Sequence, residues 1–395
     1  MRILHLTTEF PPVIYGGLGT AVGGLVAASA RTGIEVAVLL IGAGGDPSYR
    51  RPAETRGSPD DPTPTDYRAA GVHLRTSSHH AAEETGVEWV QAWRPDVLHL
   101  HSFWLWPVAR AIRERTGVPL VYTVHSLDRA EYEIGQGPPE CVTQWQTQEN
   151  AIARADRIVA LTRSERELIA AYLPTARERV RVVGNGIDDC PAAREAVQRR
   201  RQSNTPLVLY TGRFVERKGV RELLAAIPLV ITRAPGTRFV LAGGHRHCSG
   251  EDMANYWLPP GFEPYREWVH FTGWLSPDTL ARWYREADVL VVPSWYEPFG
   301  MVVLEGMLYG LPIAAADVGG PAEILEHEHT GLLCRPRDAG ALADILVRLA
   351  ESPALRRKLG QAAAREVRRT WLYSRVVKRM RAVYEELIMD TIDPE

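Results

Sequence analysis

The sequence predicts an α/β protein made of two doubly wound, parallel-sheet domains. Strand-like apolar runs alternate with amphipathic helical runs from end to end, the pattern of βα units that feed parallel sheets. At 395 residues the chain is also too long for one ordinary core. No short internal repeat offers a solenoid instead.

In the first half, strands are expected at 3–7, 36–41, 97–101, 120–124, 157–161 and 180–183, with helices at 18–31, 107–115 and 163–173. In the second half, strands are expected at 207–211, 239–242, 269–272, 289–292 and 313–316, with helices near 221–233, 277–286 and 339–351. The polar, Arg-rich stretch 191–205 has no sheet pattern and reads as a linker, with a short exposed helix at 194–202. It divides an N-terminal domain, 1–190, from a C-terminal domain, 206–372; a final helix begins at 373. Residues 43–66, rich in Gly, Pro, Asp and Arg, read as surface rather than a loop beside a site.

Composition narrows the function. A net charge of −2 gives no global pull toward nucleic acid. No apolar run approaches the length of a membrane span, while peripheral membrane contact and oligomeric state stay open. The first eight residues read as a strand running into a Gly-rich loop, not as a leader peptide. Cys141, Cys190, Cys248 and Cys334 are widely spaced, as expected of free thiols in a reducing cytoplasm.

The most informative stretch is Ser294 to Glu305, which sets Glu297 and Glu305 around the start of a helix expected at 300–309. Pro298 suits the first turn, and the free N–H groups after it form an anion site. Glu305 then lies roughly 9 Å farther along the axis, at about 1.5 Å per residue. Hydroxyls at both ends and phosphates between them describe a nucleoside-diphosphate sugar. The bland alternative is two exposed helical glutamates. After the strand at 207–211, Arg213 and Lys218 place two cations in a turn that opens a helix. Arg would supply a forked donor set to a diphosphate and Lys a compact charge; alone the pair reads as a solvated basic turn, and the acidic helix expected in the same domain turns the reading to phosphate. Lysine is scarce, at 218, 358 and 378 alone.

Weaker features sit in the first half. Gly16 and Gly17 open the first helix, where a backbone without side chains approaches phosphate closely. Asn185–Asp188 is an Asn-Gly turn at a strand end, and His125 follows another strand. His99 and His101 alternate on one strand and read as packing or site-lining, with no third ligand in view. His245, His247 and Cys248 lack the second half of a zinc site. No Asp-x-Asp supports a carboxylate-held Mg²⁺ or Mn²⁺, so no metal is expected. Phe103, Trp104, Trp106, Tyr132 and Trp145 either stack on sugar or pack the core; Trp104, Tyr132 and Trp145 are the acceptor-side candidates.

Together these motifs resemble the retaining GT-B glycosyltransferases of the glycogen synthase and sucrose synthase family (family 4-type). The matching elements are Gly16-Gly17, Thr-Val-His125, Asn185-Gly186-Ile-Asp188, Gly212-Arg213-x4-Lys218-Gly219, and Glu297-x7-Glu305 followed by Gly319-Gly320. They span nearly the whole chain in order. The resemblance implies two Rossmann-like domains facing across a cleft, with the donor held mainly by the C-terminal one and the last helix crossing back to the first. Arg213 and Lys218 would bind the diphosphate and Glu305 the ribose. Glu297, with the amides of Phe299, Gly300, Met301 and Val302, would hold the sugar. Gly16 and Gly17 would approach the phosphates, and His125 would lie beside sugar and acceptor. The catalytic set would be Glu297, His125, Lys218 and Arg213.

The implied reaction transfers a hexose, glucose first, from a UDP- or ADP-hexose to a hydroxyl acceptor, without metal and with retention. Bacterial glycogen synthases carry a Lys just before the Gly-Gly pair, where this chain has Val13-Ile14-Tyr15. That departure, and the shorter chain, favour a small or different acceptor over a growing α-glucan. An epimerase of the same fold and a non-catalytic nucleotide-sugar sensor are the competing classes.

Overall fold

The computed structural model describes residues 1–11, 14, 16–42, 71–134, 141–199, 203–245 and 248–392. The chain divides into two compact units, Met1–Gly186 with Tyr373–Glu395, and Ile187–Leu372. The Asn185–Asp188 motif therefore straddles the boundary. The stretch read as a linker belongs to the second unit and carries a helix at Pro191–Arg199. The irregular region read at 43–66 lies outside the described residues.

The first unit runs β1 (Arg2–Thr7), α1 (Gly17–Arg31), β2 (Glu35–Ile41), β3 (Val72–Ser77), α2 (Ala82–Trp93), β4 (Val97–Leu100), α3 (Trp106–Thr116), β5 (Leu120–Thr123), α4 (Asp128–Glu133), α5 (Cys141–Arg154), β6 (Arg157–Ala160), α6 (Arg163–Tyr172) and β7 (Val180–Val182). Its strands form one parallel sheet in the order β3-β2-β1-β4-β5-β6-β7. Winding reverses between β1 and β4, and such a switch point leaves a crevice at the carboxyl ends of the strands. β4 and β5 are buried throughout, so their sequences read as near-continuous apolar runs. Edge strand β3 is half exposed and polar, which hid it from the sequence pattern.

The second unit runs α7 (Pro191–Arg199), β8 (Leu207–Gly212), α8 (Val220–Arg233), β9 (Arg238–Gly243), α9 (Gly250–Trp257), β10 (Val269–Gly273), α10 (Pro277–Glu286), β11 (Val289–Val292), α11 (Met301–Leu308), β12 (Ile313–Ala316), α12 (Gly319–Ile324), β13 (Gly331–Cys334), α13 (Ala339–Glu351) and α14 (Pro353–Thr370). Its parallel sheet has the order β10-β9-β8-β11-β12-β13, with the switch point between β8 and β11.

The last helix, α15 (Tyr373–Ile392), joins the core of the first unit. Val376, Val377, Met380, Val383, Tyr384 and Leu387 recur at helical spacing and are all buried there. Six such side chains contribute on the order of 10 kcal/mol before ordering costs. Among the described residues, no helix is long and apolar enough to cross a membrane.

Candidate functional site

The richest side-chain constellation stands at the switch point of the second sheet. The chain leaves β8 at Gly212, and the turn Glu216–Lys218 brings Lys218 back to the edge of β11. Gly219 follows with φ +71, and a Cβ there would come within 2.0 Å of the Pro293 carbonyl oxygen. Only glycine allows this approach and this backbone together. Trp295 N–H donates to the Arg217 carbonyl at 2.7 Å, tying the two loops.

Here Lys218 Nζ donates to Glu297 Oε2, and Ser294 Oγ donates to the same oxygen at 3.3 Å. The pair is largely enclosed, with side chains 19% and 8% exposed. Burial alone would raise the Glu297 carboxyl, but Lys218, Arg217 and Ser294 outweigh it and hold the group below its ordinary value. Burial and the nearby Arg217 and Arg213 loosen the Lys218 proton, against the pull of Glu297. For this pair we stand behind the carboxylate's direction: Glu297 is ionised and Lys218 is its counter-ion. Arg213 is exposed, and its carbonyl accepts from the Tyr210 hydroxyl at 3.0 Å. Arg217, unnoticed in the sequence, is the buried arginine of the turn, and its guanidinium reaches the Tyr296 carbonyl at 3.4 Å.

α11 begins later than its sequence suggests. Gly300 caps it with φ +93 and Met301 is the first helical residue, so Pro298 lies outside the first turn. Phe299 is buried, while Met301 and Val302 are half-buried. Gly320 N–H donates to the Glu297 carbonyl at 2.8 Å, and a Cβ on Gly320 would fall 1.8 Å from the Phe299 oxygen. The Gly319-Gly320 pair is thus the floor under the 297–299 loop. Glu305 sits one turn into α11, where its Oε2 accepts from the Tyr284 hydroxyl at 2.5 Å. Burial pushes the Glu305 carboxyl up, against the lowering effect of that hydroxyl.

Gly16, Gly17, His125, Trp104, Tyr132 and Trp145 belong to the first unit. Gly16 caps α1, but its N–H donates to Glu9 Oε2 at 3.2 Å, as does Gly19 N–H at 3.3 Å. A carboxylate therefore already occupies the helix start expected to face phosphate. Trp104 is 55% exposed and stacks on Phe103, whereas Trp106 is buried in packing. Tyr132 and Trp145 meet edge-on across α4 and α5, 4.7 Å between ring centres.

The histidines depart from expectation. His99 and His101 do have a third neighbour: His5, paired with His99 in the β1–β4 register. Ligand-capable atoms of the three lie within 4.8 Å of one another. Both nitrogens of His99 already have oxygen partners, Tyr384 Oη at 2.6 Å and Thr123 Oγ1 at 2.7 Å, so the group is a hydrogen-bonded array. His125 joins it through His101 at 3.3 Å. The cluster read at His245, His247 and Cys248 includes His247, outside the described residues. Cys190, Cys248 and Cys334 are free thiols.

Residues 16–186 match the family described as Glycosyl transferase 4-like domain, and residues 205–352 match Glycosyl transferases group 1. A glycogen synthase of Mycobacterium tuberculosis is 30% identical over 380 residues, 92% of this chain and 89% of the relative. The chain belongs to the group 1 glycosyltransferases. This glycosyltransferase is also 32% identical over 304 residues to a D-inositol 3-phosphate glycosyltransferase of Saccharomonospora viridis, covering 74% of this chain and 70% of that one. Among solved structures, sucrose-phosphate synthase from Thermosynechococcus elongatus superposes with a TM-score of 0.73 at 26% identity, covering 98% of this chain and 99% of that one. Anabaena HepE in complex with UDP and glucose has a TM-score of 0.72 at 20% identity, covering 98% and 100%, and shares the fold. The two Rossmann-like domains are those of the GT-B class.

Proposed function

We propose that this glycosyltransferase moves a hexose, glucose first, from a UDP- or ADP-sugar to a hydroxyl acceptor, with retention and without a metal ion. The observation that carries the reading is the Lys218–Glu297 pair at the second switch point, beside the glycine-capped start of α11. An ammonium has three N–H groups, so one bond to Glu297 leaves donors for a diphosphate. Lys218 and Arg213 stabilise the charge that grows on the leaving group, the part a metal plays elsewhere. Glu297 and the amides of Phe299 to Val302 hold the sugar, and Glu305 takes the ribose hydroxyls. Gly16, Gly17 and His125 are the first unit's contribution to substrate. In the step itself, the acceptor oxygen bonds to the anomeric carbon as the carbon–oxygen bond to the diphosphate breaks. The departing diphosphate takes the acceptor proton on the same face.

The donor class is supported by HepE, whose structure holds UDP and glucose. The M. tuberculosis relative supports a second reading, in which the acceptor is an α-glucan. The deciding experiment incubates the enzyme with UDP-, ADP- and GDP-glucose against small acceptors and glycogen, with and without chelator. Release of nucleoside diphosphate coupled to an α-linked product, undiminished by chelator, is the expected result. Epimerised donor without acceptor, or tight donor binding without transfer, would replace the reading.

A further inference from the structure

His5, His101 and His125 form a hydrogen-bonded line along the carboxyl edge of the first sheet. His5 Nδ1 lies 2.9 Å from His101 Nε2, and His101 Nδ1 lies 3.3 Å from His125 Nε2. The line follows from topology: His5 lies within β1, His101 follows β4 and His125 follows β5, three neighbouring strands. His99, fixed between Tyr384 and Thr123, lies tilted against His101 with ring centres 4.0 Å apart.

Burial keeps all four rings neutral, lowering His5 to about 3 and His125 to about 4, with His99 and His101 well below their ordinary value. A neutral imidazole carries one N–H, so the protons along such a line must all point the same way. Two polarities are possible. If His125 donates toward His5, the far nitrogen, His5 Nε2, carries a proton. That atom is buried and has no hydrogen-bond partner, so it would be an orphaned donor. If His5 donates toward His125, the same atom is a bare lone pair. Buried orphan N–H groups are rarer than under-used acceptors, which selects the second polarity.

We propose that His5 and His101 are positioning residues that lock His125 in its Nδ1–H tautomer, making it a neutral hydrogen-bond donor and not a base. This rests on the reading of His125 as a substrate-side residue and deepens it. With Nε2 engaged by His101, the free polar atom of His125 is an N–H suited to a sugar or acceptor oxygen. The acceptor proton is then left to the departing diphosphate.

The test is a long-range ¹H–¹⁵N spectrum of the full chain labelled with ¹⁵N-histidine, near neutral pH and without ligands, with His125 assigned by loss of its signals in His125→Gln. His125 is expected with Nδ1 protonated and Nε2 bare. In His101→Leu it should move to the Nε2–H form, and kcat should fall about tenfold or more with little change in donor KM. His101→Asn, whose side-chain amide N–H stands near the lost Nδ1–H, should restore the tautomer and most of kcat. A wild-type His125 protonated at Nε2, or a tautomer indifferent to His101→Leu, overturns the proposal. The wild-type spectrum decides this even if His101→Leu does not fold. Because it needs no substrate, the expected tautomers in a protein that transfers no sugar would sink only the functional reading.

Discussion

Lys218 and Glu297 stand 79 residues apart in sequence and share a hydrogen bond at the carboxyl edge of the second sheet. Each makes the other tolerable. An enclosed carboxylate without a counter-ion is costly, and so is an enclosed ammonium. The pair also stores the polarity of the site, since the lysine is charged and positioned before any ligand arrives.

Removing one partner should therefore hurt twice. Glu297→Ala or Lys218→Ala should cut turnover at least about a hundredfold. Each should also lower unfolding stability by about 3–5 kcal/mol, because a buried charge is left alone. Lys218→Met with Glu297→Gln should recover much of the stability and none of the activity. Urea unfolding alongside steady-state assays reads both effects. Near-wild-type turnover in the single variants would remove the proposed site.

The histidine array makes the first unit acid-sensitive. His5 and His125 have folded pKa values of about 3 and about 4, below their ordinary value of 6.5, so the unfolded chain binds more protons between those limits. Stability is then fully present above about pH 6.5 and falls as pH drops toward 4. At about 1.4 kcal/mol per unit of pKa difference, these two rings alone predict a loss of several kcal/mol by pH 4. Thermal unfolding followed from pH 7.5 to 4.5 should show a falling midpoint, and a flat profile would contradict the buried neutral array.

Much of this was legible in the sequence, and the failures share a cause. Buried central strands such as β4, β5, β11 and β12 announce themselves as short apolar runs, and Arg213, Lys218, Glu297 and Glu305 stand out by type and spacing. Edge strands β3 and β13 do not, one being polar on its open face and the other opening on Gly331, a residue that weakens a strand pattern. His5 was unreadable as a partner of His99 because parallel pairing brings together residues from distant βα units. Tyr284 was hidden likewise: nothing in helix α10 marks the hydroxyl that reaches Glu305. The late start of α11 follows from Gly300, whose left-handed backbone breaks the turn that Pro298 would otherwise have begun.

Tyr284 gives a separate handle on the ribose role proposed for Glu305. Its hydroxyl lowers the pKa of Glu305 against the effect of burial, keeping the carboxylate available to hydroxyl donors. Tyr284→Phe should let that pKa rise and should weaken UDP or ADP binding about tenfold, since a hydrogen bond to a charged group is worth about 1.5–3 kcal/mol. The loss should deepen as pH falls, because Glu305 then protonates sooner. Calorimetric affinities equal to wild type at every pH would remove Glu305 from the ribose site.

Two glycine substitutions separate folding from ligand approach. Gly219→Ala places a Cβ 2.0 Å from the Pro293 oxygen at φ +71, so the turn bearing Lys218 must shift. The left-handed backbone alone costs about 1–2 kcal/mol, and the clash adds to it. Its unfolding midpoint should fall together with its activity. Gly16 differs: its backbone is extended, and a Cβ there meets no atom within 4 Å. Gly16→Ala should fold with wild-type stability. If phosphates do pass close to this backbone, the same methyl group stands in their way and donor KM rises while the unfolding midpoint holds. An unchanged KM would show that the Gly16-Gly17 turn, with Glu9 already seated on its amides, serves the helix and not the donor.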